Sequence, residues 1–122
     1  MFLERRQNKR YEVSWDAKLI AQFPEFSDQL VVTVDNISIG GALLQSKKIT
    51  MQDQHLIIGD LKPELLLRID LPEIAFESSF RIAWYRHVDE NNLFEIGIEF
   101  IDLSDANRKE LQGAIKQLGA KP

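Results

Sequence analysis

The sequence predicts a mainly β domain: a six-stranded antiparallel, Greek-key-like β-barrel with a single C-terminal α-helix. Three observations carry this prediction. Apolar and polar residues alternate along residues 11–19, 65–71, 76–84 and 94–100, the pattern of strands with one buried and one solvated face. Most links between these stretches are short and rich in turn residues, so consecutive strands can pair as hairpins. Past Leu103 the apolar spacing changes to i, i+3, i+4, i+7, that of an amphipathic helix. A chain of 122 residues can bury one core and suits one domain.

In the first strand Tyr11, Val13, Trp15, Ala17 and Leu19 are interleaved with Glu12, Ser14, Asp16 and Lys18. A polar connection holding Pro24 follows, from Phe23 to Gln29. LVVTVDNIS, rich in β-branched residues, reads as the second strand. Gly40-Gly41 marks a tight turn or bulge, and Ala42 to Gln45 a short third strand. The segment 47–64, KKITMQDQHLIIGDLKPE, lacks alternation and carries Gly59 and Pro63. It reads as a long connection with room for a helical turn. Leu65, Leu67, Ile69 and Leu71 define a fourth strand that stops at Pro72. In the fifth, Phe76, Ser78, Phe80, Ile82 and Trp84 share one face, which places Trp84 in the core. HVDENN turns the chain into a sixth strand with Phe94, Ile96, Ile98 and Phe100 inward. The helix is expected at about 104–118, with Ser104 as N-cap, Leu111, Ala114, Ile115 and Leu118 as its apolar stripe, and Gly119 at its end.

Composition excludes several kinds of chemistry. With no cysteine there is no disulfide, thiolate nucleophile or Cys-based metal site. His55 and His87 stand far apart, outside any metal-binding spacing, and read as surface or loop residues. No glycine-rich phosphate loop or nucleophile elbow is present. No catalytic residue, metal ligand or cofactor is therefore expected, and the chain does not read as an enzyme. With no long apolar run and no signal peptide, a cytoplasmic protein without membrane insertion is expected.

Charge is distributed unevenly. The chain carries a net charge of −4, yet its first ten residues hold Arg5, Arg6, Lys9 and Arg10 against Glu4 alone. Residues 1–10 read as a flexible basic arm, since past Phe2 and Leu3 they have nothing apolar to bury; residues 11–119 form the barrel domain. Arginine carries a planar, permanently charged fork that grips phosphate, or the Hoogsteen edge of guanine, with two hydrogen bonds. The second notable stretch is DNISIGGALL. Asn36 and Ser38, two apart at a strand end, offer an amide and a hydroxyl on one side, and Gly40 with Gly41 allows a sharp turn and a close backbone approach. Taken singly, the first reads rather as a solubilising tail and the second as an ordinary β-turn.

Their order and separation carry more. RxxxR at Arg6 and Arg10, a strand, a connection, a second strand, then Asn36-x-Ser38-x-x-Gly41, within a six-stranded barrel ending in a helix, resembles the PilZ domain family. RIAWYR followed by EIGIEFIDLS looks like that family's closing strands and its run into the final helix, so the resemblance spans nearly the whole chain. Members are bacterial receptors for cyclic di-GMP (c-di-GMP). The resemblance implies that Arg6 and Arg10 hold guanine and phosphate, that Asn36 and Ser38 contact the ligand, and that Gly41, with Gly40, shapes the turn. It implies that Arg5 goes with an intercalated pair of ligand molecules rather than one, and that Trp84 edges the ligand surface. The implied protein is a second-messenger receptor acting in trans on an effector protein, in motility or biofilm control, without a nucleic-acid polymer as partner. Asn36 stands where the family often has Asp; it keeps an acceptor oxygen and loses the charge. The 47–64 connection is longer than usual for the family. Two other readings compete: a PilZ-like interaction module that binds no nucleotide, as in type IV pilus assembly, and a single-strand nucleic-acid barrel. The retained arginine motif disfavours the first, the acidic barrel the second.

Overall fold

The computed structural model describes residues 9–59, 62–88 and 93–120. The strands are β1 (Tyr11–Gln22), β2 (Ser27–Ile37), β3 (Gly41–Ser46), β4 (Thr50–Met51), β5 (Gln54–His55), β6 (Glu64–Leu71), β7 (Ile74–Val88) and β8 (Leu93–Ile101); the helix is α1 (Asp105–Ala120). Six of the strands close an antiparallel barrel in the order β1-β2-β3-β8-β7-β6, and β1 pairs with β6 to shut it. This is the expected fold class. Closure leaves no continuous free sheet edge.

The period-two sets point into the barrel as expected. Trp15, Ala17, Leu19 and Ala21 of β1 meet Val32 and Val34 of β2, Leu44 of β3, Leu67 and Ile69 of β6, and Ile96 and Ile98 of β8 in one buried cluster. The interior is filled by side chains, so polar chemistry is left to the outside and the rims.

Four local expectations are corrected. The Phe23–Gln29 connection is shorter than read: the Phe23 N–H donates to the Phe26 carbonyl (2.8 Å), the two rings stack at 4.7 Å, and β2 already starts at Ser27. The 47–64 segment shows no helical turn among its described residues. It forms the β4–β5 hairpin, turned by Gln52 and Asp53 at φ 47° and 65°, both in the left-handed region that two-residue hairpin turns require. Ile49, Met51 and Leu56 of this segment are buried in the core. Two-residue strands are too short to show a period, which is why the segment was illegible. Gly119 does not stop the helix, whose span reaches Ala120; a helical glycine costs only about 1 kcal/mol. The fourth correction concerns Trp84.

In β7, Ile74, Phe76, Ser78 and Phe80 are buried as the alternation requires, but Trp84 is 48% exposed. The pairing with β8 runs Ile82↔Ile98 and then Trp84↔Gly97, so Ala83 is an extra residue. A bulge inserts one residue and inverts the phase of everything after it. Trp84 therefore faces out, and the next residue, Tyr85, packs against the core.

Helix α1 starts at the expected cap: the Ser104 hydroxyl accepts from the Asn107 N–H (3.1 Å). Leu111 and Ala114 are buried, with Ile115 and Leu118 packed beside them. Asn107 accepts from the Glu77 N–H (3.4 Å) and donates to the Glu77 carbonyl, while Glu110 accepts from the Ala75 N–H (3.0 Å). The helix is thus tied to the start of β7 by polar bonds as well as by its apolar stripe. No helix among the described residues is long and apolar enough to cross a membrane.

Candidate functional site at the barrel rim

Strands β1 and β2 bring the two sequence motifs together. Tyr11 pairs with Ile37 and Glu12 with Asn36, so Arg10, one step before the strand, sits beside the end of β2. There the Arg10 Nη1 donates to the Asn36 Oδ1 (3.0 Å), joining residues 26 apart in sequence. Lys9 lies over the Tyr11 ring at 5.3 Å. Arg5 and Arg6 fall outside the described residues.

The Ser38–Gly41 turn is built by its own residues. The Ser38 N–H donates to the Gly41 carbonyl (2.8 Å), the Ser38 hydroxyl accepts from the Gly40 N–H (3.1 Å) and lies 3.4 Å from the Gly41 carbonyl, to which it donates. Ser38 is buried. The Phe100 N–H donates to the Gly40 carbonyl (3.0 Å), clamping the turn to β8. Gly41 pairs with Glu99, and a Cβ there would overlap the Ile98 carbonyl oxygen; only glycine permits so close an approach of β3 to β8. Ser38 and Gly41 thus hold the turn, while the half-buried Asn36 stands beside Arg10 at the rim.

Strand register extends this site across the outside of the barrel. Asn36 pairs with Leu43, Leu43 with Gly97, and Gly97 with Trp84, forming one lateral row over β2, β3, β8 and β7. On either side of Trp84, Arg81 donates to Glu99 and Arg86 to Glu95, each at 2.6 Å. The RxxxR and Asn-x-Ser-x-x-Gly patterns themselves do not specify Leu43, Gly97 or these ion pairs. RIAWYR and EIGIEFIDLS hold Trp84, Gly97 and the ion-pair residues, but which of them face outward in line with Asn36 is set by strand pairing and by two bulges, at Ala83 in β7 and between Val34 and Asn36 in β2.

Asp35 occupies the β2 bulge. Burial raises its carboxyl above the ordinary carboxylate range; a hydrogen bond with Gln45 opposes this and the charge of Glu95 adds to it. The folded chain therefore holds the Asp35 proton more tightly than the unfolded chain. The associated stability is complete below the ordinary carboxylate range and is lost as pH rises through the raised value. Asp35→Asn is expected to melt higher than wild type at neutral pH, with the gain vanishing in acid; melting curves across pH check this, and a constant gain would contradict it.

Both histidines have structural settings. His55 Nδ1 accepts from the Ile57 and Ile58 N–H groups (3.0 Å each), and the His87 ring lies 4.9 Å from that of Phe94. Among the described residues no group of three or more His, Cys, Asp or Glu could hold a metal ion.

These features define a class: a small antiparallel barrel with a packed interior, on whose outer surface an arginine-bearing strand start and a tight Asn-x-Ser-x-x-Gly turn meet at one rim. The chain belongs to the PilZ domain family, whose model matches residues 4–117. Solved structures share the fold. The PilZ domain of YcgR from Escherichia coli, with c-di-GMP, matches at TM-score 0.66 and 16% identity over 95% of this chain and 92% of that one. The Bacillus subtilis inhibitor of motility MotI/DgrA matches at TM-score 0.65 and 21% identity over 98% of this chain and 55% of its own. The K. pneumonia MrkH–c-di-GMP complex matches at TM-score 0.71 and 13% identity over 95% and 53%. The chain thus spans about half the length of the latter two. MrkH is a c-di-GMP-dependent transcription regulatory factor, so these neighbours lend no weight to the expectation that nucleic-acid polymers are not partners. No curated protein matches the sequence directly.

Proposed function

We propose that this chain is a c-di-GMP receptor that regulates a partner protein in trans. The observation that carries the reading is the bond between Arg10 Nη1 and Asn36 Oδ1, which unites the RxxxR and Asn-x-Ser-x-x-Gly motifs at one point on the rim. An arginine fork can exchange a neutral amide for a phosphate or a guanine edge, and charge-assisted bonds are the stronger ones. Asn36 keeps its acceptor oxygen for guanine N–H groups. Ser38, Gly40 and Gly41 give the turn its shape, Arg5 and Arg6 close over the ligand from the arm, and Trp84 borders it. Because the barrel interior is packed, binding can remodel only the outer surface, and the arm drawn onto the rim is what a partner would read.

Calorimetry with c-di-GMP tests the reading. Wild type is expected to bind, and Arg6→Ala or Arg10→Ala to lose about ten- to a hundredfold in affinity, the equivalent of about 1.5–3 kcal/mol for a bond to a charged group. Absence of binding by wild type would overturn the receptor reading; undiminished binding by both variants would overturn the arm mechanism. The same titration counts ligands, and Arg5 predicts two per chain.

A further inference from the structure

We propose that Gly97 is the positioning residue of this surface: by leaving β8 bare it seats the Trp84 indole on the outer face of the barrel, in line with Asn36. The inference rests on the receptor reading for its functional part and on geometry alone for the seating.

Two separate devices put Trp84 where it is. The first is the Ala83 bulge, which turns the side chain outward. An outward tryptophan could still stand away from the sheet. The second device is the missing side chain at position 97, directly across the ladder. A Cβ on Gly97 would overlap the indole Nε1 and Cε2 and lie 2.9 Å from Cδ1. The pyrrole edge of the indole therefore fills the space that any other residue at 97 would need, and the ring lies against the β8 backbone. This is why Trp84 is only about half exposed (48%) although it faces out.

The neighbours limit where the ring can go. Glu95 and Glu99, two residues to either side of Gly97 on the same face, pair with Arg86 and Arg81 of β7. These cross-strand ion pairs flank the indole along the strand direction. On the far side of Gly97 stands Leu43, and beyond it Asn36. The result is an aromatic surface in the same lateral row as the amide that Arg10 touches. An indole held this way presents a π-face to a planar base without first having to be ordered.

Gly97 differs from Gly41 in what a side chain would strike. At Gly41 the obstacle is the backbone of β8; at Gly97 it is the surface side chain of Trp84, which can rotate away. Gly97→Ala should fold, yet lose the seated ring.

The chain has two tryptophans, so the indole N–H region of a nitrogen-15 spectrum holds two signals, with buried Trp15 as internal reference. In ligand-free protein, Gly97→Ala is expected to shift the Trp84 signal and leave that of Trp15 in place. With c-di-GMP, Gly97→Ala and Trp84→Ala are each expected to weaken binding about tenfold or more, the scale of one base–aromatic stack. In the Trp84→Ala background Gly97→Ala should cost nothing further, since residues acting through one contact are non-additive. An unmoved Trp84 signal, or an equal loss of affinity in the Trp84→Ala background, would overturn the inference. If wild type binds no c-di-GMP, the receptor reading fails, and the seating still stands or falls by the ligand-free spectrum.

Discussion

Gly41→Ala is expected to lower the melting temperature by about 10 °C, from a stability loss of about 3 kcal/mol at the upper end of overpacking costs. The added methyl would overlap the Ile98 carbonyl oxygen and approach Ile98 C and Glu99 Cα at 3.1 and 3.3 Å. All three atoms are backbone, so no rotamer change relieves the clash. Relief requires β3 to withdraw from β8 at the Gly41↔Glu99 pair, where the Phe100–Gly40 and Ser38–Gly41 bonds hold the turn closed. The damage therefore reaches the rim that carries Asn36. Thermal unfolding followed by circular dichroism measures it. A variant that melts like wild type would show that the seam is loose enough to yield and that the glycine is not a packing requirement.

Leu111→Ala carries a penalty of similar size, about 3 kcal/mol within the 2–5 kcal/mol found for buried leucine truncations. Leu111 has no exposed surface and is the innermost residue of the stripe α1 lays on the barrel. Alanine is the better helix former, so the substitution does not weaken the helix as a helix; what it removes is docking. Asn107 and Glu110 still bond to β7, so the helix is expected to stay in place with a weakened seat. Urea unfolding gives the loss directly. A shift below about 1 kcal/mol, well short of the truncation range, would mean that α1 contributes little to the stability of the barrel. Loss of coincidence between near- and far-ultraviolet transitions would show that the helix had become a separate unit.

The long regular strands were legible because one face of each is buried. Leu19, Leu67 and Ile96 fall on the inward phase that alternation assigns them, and all are fully buried. The helix was legible by the same logic at its own period. The misreadings have local causes. Alternation carried through Ala83 puts Trp84 in the core, and nothing local marks Ala83 as extra. β4 and β5 leave no trace in the pattern because two residues cannot display a period. Phe23 and Phe26 read as a polar link, yet they stack and close a tight turn.

The candidate site divides the same way. RxxxR and Asn-x-Ser-x-x-Gly are local patterns, and their presence, order and separation can be read along the chain. The sequence by itself therefore determined that this is a β-barrel with a C-terminal helix, which strand faces build its core wherever no bulge interrupts the strand, and that two polar motifs stand at the two chain ends of one hairpin. Only the tertiary structure decided that Arg10 touches Asn36, that Ser38 and Gly41 hold the turn, and that Leu43, Gly97 and Trp84 continue the row across the barrel. The reason is physical: register between strands is set by hydrogen-bonded pairs such as Leu43↔Gly97, far apart in sequence, and a single bulge reverses which face a residue presents.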